Sequence, residues 1–418
     1  MNILEKLTHI ELFSGLGSAS IALREAKIPH TTIARSEICK HAEALRSELV
    51  DDGSYNFGDI TDYSNWNSDS RLSDCDLVSG GFPCQDFSGM GKMKGWNSPR
   101  TIVVTSAVRA FVLHHKPKII VLENVVAVFN KTHGEGTRAW LDSFQGYNWN
   151  YVVDNPHDRG HIQSRSRVWI TLSRSDAPQM DIDLSKFSKI KSQQWKDIAD
   201  KRVLKSDLKG EYFKVNDVAR ISSKPSNKHW RLIPTSTKIQ CMTRKALLSR
   251  CNRFSWVDDN GTFRSISTRE SLKAFAHPKT PLGLTTKKDL SRSSCSRVIG
   301  NSWHIDAAIN VFSQLPIEEL KEFKFVAFAM RFIRVDKVLA LANRRTAKNI
   351  RALYTIDQLM TSKRSNNRRQ LFATSSYKFD KKDGKKITTK GVYLAPADDA
   401  SDPKNGIIIN NCPMAGEC

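Results

Sequence analysis

Gly80-Gly81-Phe82-Pro83-Cys84-Gln85-Asp86-Phe87-Ser88 sets one cysteine beside a proline, between the short apolar run Asp76-Leu77-Val78 and a loop carrying Gly89, Gly91 and Gly95. Read as a strand and the turn that ends it, this stretch predicts an open α/β sheet. Its thiol then sits at a strand's carboxyl end, facing the crevice where such sheets bind ligands. That is a nucleophile's position. A small, buried, inert thiol is the alternative that free cysteines commonly satisfy, and segments elsewhere in the chain decide between the two.

Upstream, Ile10-Glu11-Leu12-Phe13-Ser14-Gly15-Leu16-Gly17-Ser18 reads as a strand and a glycine turn, and Ala19 to Ala26 carries helical apolar spacing. Such a turn lets backbone amides approach a cofactor closely, but the third glycine of the dinucleotide spacing is missing, which disfavours NAD. Thr31 to Ser36 is a β-branched run ending at Glu37, at about the offset where nucleoside-binding folds place an acid for the ribose hydroxyls. Gly58-Asp59-Ile60 ends a further possible strand, with Asp59 free to accept from an adenine amine. Lys118 to Leu122 suits a buried parallel strand, and Glu123-Asn124-Val125 follow at its end. Gln163-Ser164-Arg165-Ser166-Arg167 precedes Val168 to Leu172, and alternation along an extended segment puts both guanidinium groups on one face. Each element has an ordinary alternative: a surface carboxylate for Glu37, a helix N-terminal acid for Glu123, solvated arginines for Arg165 and Arg167.

In this order, the segments resemble the DNA cytosine-5 methyltransferase family over roughly the first three quarters of the chain. Phe13 to Gly17 is similar to its cofactor motif I, Glu37 to its ribose acid, Gly58 to Ile60 to motif III and Gly81 to Gln85 to motif IV. Glu123 to Val125 looks like motif VI, and Gln163-x-Arg165-x-Arg167 like motif VIII. Ser267 to Glu270 through Phe275 to Pro278 resembles motif IX, and Gly300-Asn301-Ser302 begins motif X. Trp303 departs from the family's usual small aliphatic, and Ile162 stands where proline is common.

The resemblance implies a Rossmann-like class I methyltransferase sheet of α/β class and a smaller target-recognition domain. It stops beyond Leu315, where Phe323 to Leu341 reads as an amphipathic helix or strand pair and basic clusters follow from Arg344-Arg345 to Lys385-Lys386. These suggest a basic, nucleic-acid-contacting C-terminal extension or, equally, a solvated or partly disordered tail. The resemblance also implies S-adenosyl-L-methionine as cofactor, held by Phe13, Ser14, Gly15, Leu16, Gly17, Glu37, Ile38, Asp59, Ile60, Ile102, Asn301 and Ser302. Cys84 becomes the thiolate that adds to cytosine C6, because the intact ring is too weak a nucleophile at C5. Glu123 bonds N3 and the exocyclic amine, Arg165 holds O2 and the active-site loop, and Pro83, Asn124 and Arg167 complete the catalytic set. The base must be swung out of the duplex at a cost of a few kcal/mol. Gln85, Ser88, Lys92, Gln163, Trp230 and Arg231 are the implied DNA contacts. Gln85 to Lys94 has the composition of a closing lid, or of an ordinary disordered loop.

Composition supports a polyanionic partner. Of 418 residues, 65 are Lys or Arg and 43 Asp or Glu, a formal net charge of +22, so double-stranded DNA is expected to bind in a salt-dependent way. RNA or an acidic membrane would satisfy basicity alone. No run of about 18 apolar residues occurs and Met1 to Ile10 lacks a signal peptide's apolar core, predicting an intracellular protein outside the membrane. The eight cysteines show no CxxC spacing, so neither a zinc site nor a disulfide framework is expected. The domains expected are a catalytic core at 1–175, target recognition at 176–266, a return to the core at 267–315 and a basic extension at 316–418, the whole acting as a monomer on DNA. Trp195, Lys228-His229-Trp230-Arg231 and Arg244-Lys245 mark the second region as groove-reading or merely basic. Asn301 to Phe312 is expected to be a helix beside the N-terminal cofactor strand. Methylation of tRNA cytosine by a similar core, or a catalytically inert DNA-binding relative, are the competing functions.

Overall fold

Leu7–Leu12 forms β1, and its alternation sets the layers of the molecule. Ile10 and Leu12 enter one apolar core, whereas His9 and Glu11 point to the opposite face and are satisfied there. The computed structural model describes residues 6–50, 52–88, 93–201, 203, 230–243, 253–256, 263–323, 373–379 and 386–392. The chain divides into two compact units, Met1–Ile317 and Glu318–Cys418.

In the first unit, β1 is followed by α1 (Ser18–Glu25), β2 (His30–Ser36), α2 (Lys40–Leu49), β3 (Tyr55–Asn56) and β4 (Leu77–Gly80). Then come α3 (Pro99–His115), β5 (Ile119–Val125), α4 (Gly134–Asp142), β6 (Tyr147–Asp154), the short β7 (Gln163–Ser164) and β8 (Arg167–Arg174). The main sheet has the order β3-β2-β1-β4-β5-β8-β6. Pairing is parallel from β3 to β5 and antiparallel where β8 lies between β5 and β6. This is the Rossmann-like methyltransferase sheet that the sequence implies, with helices on both faces.

One face is covered by α3 and α4, whose Val108, Phe111, Val112, Trp140 and Leu141 pack on Ile10, Val78, Ile120 and Ile170. α3 opens with Pro99 at its first position, where the missing N–H costs nothing, and ends at Lys116 with φ +50. The other face receives α1 and α2. There Arg46 pairs with Glu11 at 2.8 Å inside the core, and the guanidinium lies so close to Gly17 (φ +87) that a Cβ would overlap it. Gly17 is therefore needed both for the left-handed turn and for the room.

Among the described residues, the remaining α-helices of this unit are α5 (Trp195–Ile198), α6 (Thr268–Ala274), α7 (Arg292–Ile299) and α8 (Ile305–Phe312). Between α5 and α6 lie β9 (Trp230–Leu232), β10 (Ile239–Gln240), β11 (Arg253–Trp256) and β12 (Phe263–Ser265). β9, β11 and β12 form a small sheet, and β10 pairs in parallel with β7. In the second unit, β13 (Ala373–Phe379) and β14 (Lys386–Val392) are an antiparallel pair. Among the described residues no helix is long and apolar enough to cross a membrane.

Three expectations need correction. Glu123, Asn124 and Val125 lie inside β5 and pair with Trp169, Val168 and Arg167, because β5 has parallel β4 on one side and antiparallel β8 on the other. The last helix starts at Ile305 and packs against α1, so Asn301 and Ser302 are in the turn before it. Trp195 is 1 % exposed and belongs to the core with Leu45, Leu272 and Ile299, so it reads no groove. The expected helix or strand pair through Leu341 and the basic pairs from Arg344 to Lys382 fall outside the described residues, as do Lys228, His229, Arg244 and Lys245.

Glu270 links the small sheet to α6. Its carboxylate takes Arg264 Nη2 at 2.6 Å and Nη1 at 2.7 Å, and closes a capping box with Ser267. Both partners are at most 1 % exposed, so removing one strands a buried charge. Glu270→Ala is expected to lower stability by about 3–5 kcal/mol, read as a fall in the urea midpoint. An unchanged midpoint would show that the pair is not the clamp between these elements.

Candidate active site

The carboxyl ends of β1 and β4 are neighbours: Leu12 pairs with Ser36 of β2 on one side and with Gly80 of β4 on the other. The chain leaves β1 towards β2 and β3, and leaves β4 towards β5, so the strand order reverses here. Crevices at such a switch point are where open α/β sheets take ligands. Two turns meet there, Phe13–Gly17 after β1 and Gly81–Ser88 after β4.

The second turn is held from three directions. Phe87 and Ser88 amides both donate to the Cys84 carbonyl at 3.0 Å, closing the turn around the half-buried Cys84. Asn124 Nδ2 donates to the Phe82 carbonyl at 3.1 Å, which fixes the residue preceding Pro83. Phe82 and Phe87 are buried against Trp140 and Trp96 respectively.

Glu123, Arg165 and Arg167 converge on this turn. Arg167 Nε is 2.8 Å from Glu123 Oε1, and the Trp303 indole also hydrogen-bonds Glu123. Arg165 Nη2 donates to the Ser302 carbonyl at 2.7 Å, its backbone N–H to Asn155 Oδ1 at 2.9 Å, and its guanidinium lies over Phe275 at 5.0 Å. Both arginines also donate to Cys241 Sγ, at 3.4 Å from Arg165 Nη1 and 3.7 Å from Arg167 Nη2. Cys241 and Asn155 were not legible as site residues; Trp303 was visible only as a departure from a pattern.

The electrostatics follow from burial. It pushes the Glu123 carboxyl up, against the pull of Arg167 and Arg165. Burial also pushes the Cys84 thiol up, reinforced by Glu123 and opposed by the two arginines. Cys241 behaves differently. Burial opposes its ionisation too, but Arg165 and Arg167 outweigh that effect and hold it below the ordinary thiol range.

The first turn is built for a ligand. Phe13 (φ +52), Gly15 (φ +55) and Gly17 (φ +87) are all left-handed, and the Ser14 amide donates to the Ser36 carbonyl at 3.0 Å. Ser14 Oγ is buried without a partner, an orphaned polar atom that a bound group can satisfy. Glu37, directly after β2, accepts from the amides of Gly15, Ile38 and Cys39 at 2.8, 2.9 and 2.8 Å. Burial nonetheless raises the Glu37 carboxyl, the three amides opposing. Ile38 and Ile102 expose apolar side chains, 74 % and 51 %, of the kind that covers a ligand ring. Asp59 is exposed beyond β3, with Oδ1 engaged by Thr61. Asn301 is exposed and Ser302 buried.

Several expected contacts are corrected by burial. Leu16 and Ile60 are core side chains, 1 % and 2 % exposed, so only their main chain can touch a ligand. Gln163 is fully buried and donates to the Ala274 carbonyl at 2.9 Å, which makes it a tie to α6 rather than a nucleic-acid contact. Gln85 is exposed and accepts from Arg100 at 2.6 Å, and Ser88 is half-buried. Lys92 and the centre of the expected lid, Gly89 to Gly91, lie outside the described residues, as do the side chains of Trp230 and Arg231 on β9.

The family described as C-5 cytosine-specific DNA methylase matches residues 7–316. The orphan methyltransferase M.SPRI of Bacillus phage SPR is 29 % identical over 221 residues, covering 50 % of this chain and 46 % of its own. The type II methyltransferase M.HgiCII of Herpetosiphon aurantiacus is 32 % identical over 171 residues, 40 % of this chain and 37 % of its own. The matches thus span less than half the length of these curated relatives. Among solved structures, the S. pombe Dnmt2 methyltransferase superposes with a TM-score of 0.58 at 19 % identity, covering 74 % of this chain and 97 % of that one.

Arg167→Ala tests the charge balance. Without this guanidinium Glu123 keeps a buried charge with less support, so its folded carboxyl rises further above the unfolded value. An acid raised in the folded state costs stability as pH climbs from the unfolded value towards the folded one. The variant is expected to lose about 3–5 kcal/mol at pH 7 and less near pH 5, as measured by urea denaturation at the two pH values. A penalty independent of pH would mean that Arg167 does not neutralise Glu123.

Proposed function

The chain belongs to the C-5 cytosine-specific DNA methylase family, and from that premise we propose that it methylates C5 of a cytosine swung out of double-stranded DNA. The observation that carries this reading is the meeting of Cys84, Glu123, Arg165 and Arg167 beside the Ser14 turn at one switch point. S-adenosyl-L-methionine supplies the methyl group. Ser14 and Glu37 fit it as the orphaned hydroxyl and the acid beyond β2, with Phe13, Ile38, Asp59 and Ile102 around them.

Each side chain has a defined task. Cys84 Sγ adds to C6 of the ring, which makes C5 nucleophilic, and later leaves as C5 loses its proton. Glu123 hydrogen-bonds N3 and the exocyclic amine; its raised carboxyl suits a group that shares a proton with N3. Arg165, anchored to Ser302 and Asn155, faces O2. Arg167 holds Glu123, and Asn124 holds the Phe82 carbonyl and so the Pro83–Cys84 turn. The DNA is gripped through the +22 charge, residues 176–266 are the target-recognition segment, and the enzyme acts as an intracellular monomer. Gln85 and Ser88, on the nucleophile's own turn, are the contacts to the opened strand.

Cys84→Ser is expected to abolish transfer of labelled methyl from S-adenosylmethionine while DNA binding stays within a few-fold of the parent. An oligonucleotide containing 5-fluorocytosine should form an adduct that peptide mapping assigns to Cys84. Full transfer by the variant refutes the nucleophile. Label entering tRNA but not DNA replaces the substrate.

A further inference from the structure

Cys241 engages the two arginines that act on Cys84, although it arrives from a different part of the chain. β10 runs parallel to β7 with Ile239 opposite Gln163 and Gln240 opposite Ser164, so the next step of the register sets Cys241 against Arg165. Ile239 and Met242 are fully buried on either side, 1 % and 0 % exposed, which fixes the half-buried thiol between them. Both guanidinium groups donate to its sulfur. These are the two cations that act on Cys84 through space.

We propose that Cys241 is a positioning residue of the catalytic pocket, which in the free protein engages the Arg165 and Arg167 guanidinium groups and thereby withholds them from Cys84. The inference rests on the reading of Cys84 as nucleophile. A charge-assisted hydrogen bond to sulfur draws each guanidinium's field onto Cys241, which leaves less of it to favour an ionised Cys84. The arginines therefore support one thiolate at a time. The groups concerned come from five elements: Cys84 after β4, Glu123 on β5, Arg165 and Arg167 at β7 and β8, and Cys241 after β10. Arg165 and Arg167 are the pair that lowers Cys241, against its burial. Glu123 adds to the burial that raises Cys84. The consequence is a nucleophile that is quiet towards adventitious electrophiles until a ligand with its own acceptor atoms claims the guanidinium groups.

Alkylation of the free full-length protein tests this without DNA or methyl donor. Iodoacetamide at pH 7.5, followed by peptide mapping, is expected to label Cys241 before Cys84, each thiolate displacing iodide. In Cys241→Ser the Cys84 thiol loses a competing charge. Its labelling is then expected to quicken about threefold, because the larger thiolate fraction outweighs the lower intrinsic nucleophilicity of a more acidic thiol. Cys84 labelling as fast as Cys241 in the parent protein overturns the proposal. So does an unchanged Cys84 rate in a Cys241→Ser protein that melts like the parent; the parent's labelling order decides the matter where the variant does not fold. A protein that labels as expected yet methylates no nucleic acid leaves the competition standing and removes the assigned activity instead.

Discussion

The site depends on how closely two parallel strands approach at their carboxyl ends. Gly80 packs against Leu12 so tightly that a Cβ would lie 3.0 Å from the Leu12 carbonyl oxygen. Any side chain there would have to push the Leu12 backbone away by a few tenths of an ångström for β4 to keep its register with β1 and still release the chain into the Gly81–Ser88 turn. That contact puts the Ser14 turn and the Cys84 turn side by side, and everything chemical follows from the adjacency. Glu123 joins because β5 is the next strand over, and Arg167 because β8 pairs antiparallel to β5 with Val125 opposite Arg167. A parallel strand in β8's place would reach the crevice with its other end.

Having assembled the groups, the fold must keep several charges out of water. Arg165 and Glu123 are 3 % and 7 % exposed, and an isolated ion at such depth costs several kcal/mol. The structure answers by giving each ion more than one partner. Arg165 has a carbonyl, a thiol and an aromatic face, and Glu123 has Arg167 and the Trp303 indole. Trp303 thus has a concrete role where the family pattern has a small aliphatic: it supplies a donor to the carboxylate and packs edge-on to Trp169 at 5.1 Å. Arg165 Nε nonetheless stays buried without a hydrogen bond, and the Cys84 thiol is raised rather than activated by its surroundings.

The strands, the turns at their ends and the chemical residues in those turns were legible because local sequence encodes them: apolar runs, glycines at left-handed positions, and a thiol beside proline. What was not legible is which atom of a residue faces the site. Leu16 and Ile60 sit in the expected turns, yet their side chains are needed by the core, and Gln163 occupies the expected segment but is claimed by the Ala274 carbonyl. Trp195 looked like a surface reader because its neighbours are basic, whereas an apolar face of α1, α2 and α6 requires it. Cys241 carried no local signal at all. Its place beside Arg165 comes from parallel pairing with a partner 76 residues away in sequence, and tertiary contacts of that range are invisible to periodicity.

The same sharing of partners recurs at Glu37. A carboxylate offers about four lone-pair sites, and Glu37 already uses three of them on the amides of Gly15, Ile38 and Cys39. Ile38 and Cys39 belong to Glu37's own turn and cannot leave without unfolding it. Gly15 can, because glycine's backbone has alternative conformations available and its bond to Glu37 spans two different turns. A ligand that presents two hydroxyls therefore has one acceptor waiting and gains the second only if the Gly15 amide turns away. That rotation would occur beside the orphaned Ser14 hydroxyl, so accommodating the ligand at Glu37 and satisfying Ser14 are one coupled rearrangement of the Phe13–Gly17 turn.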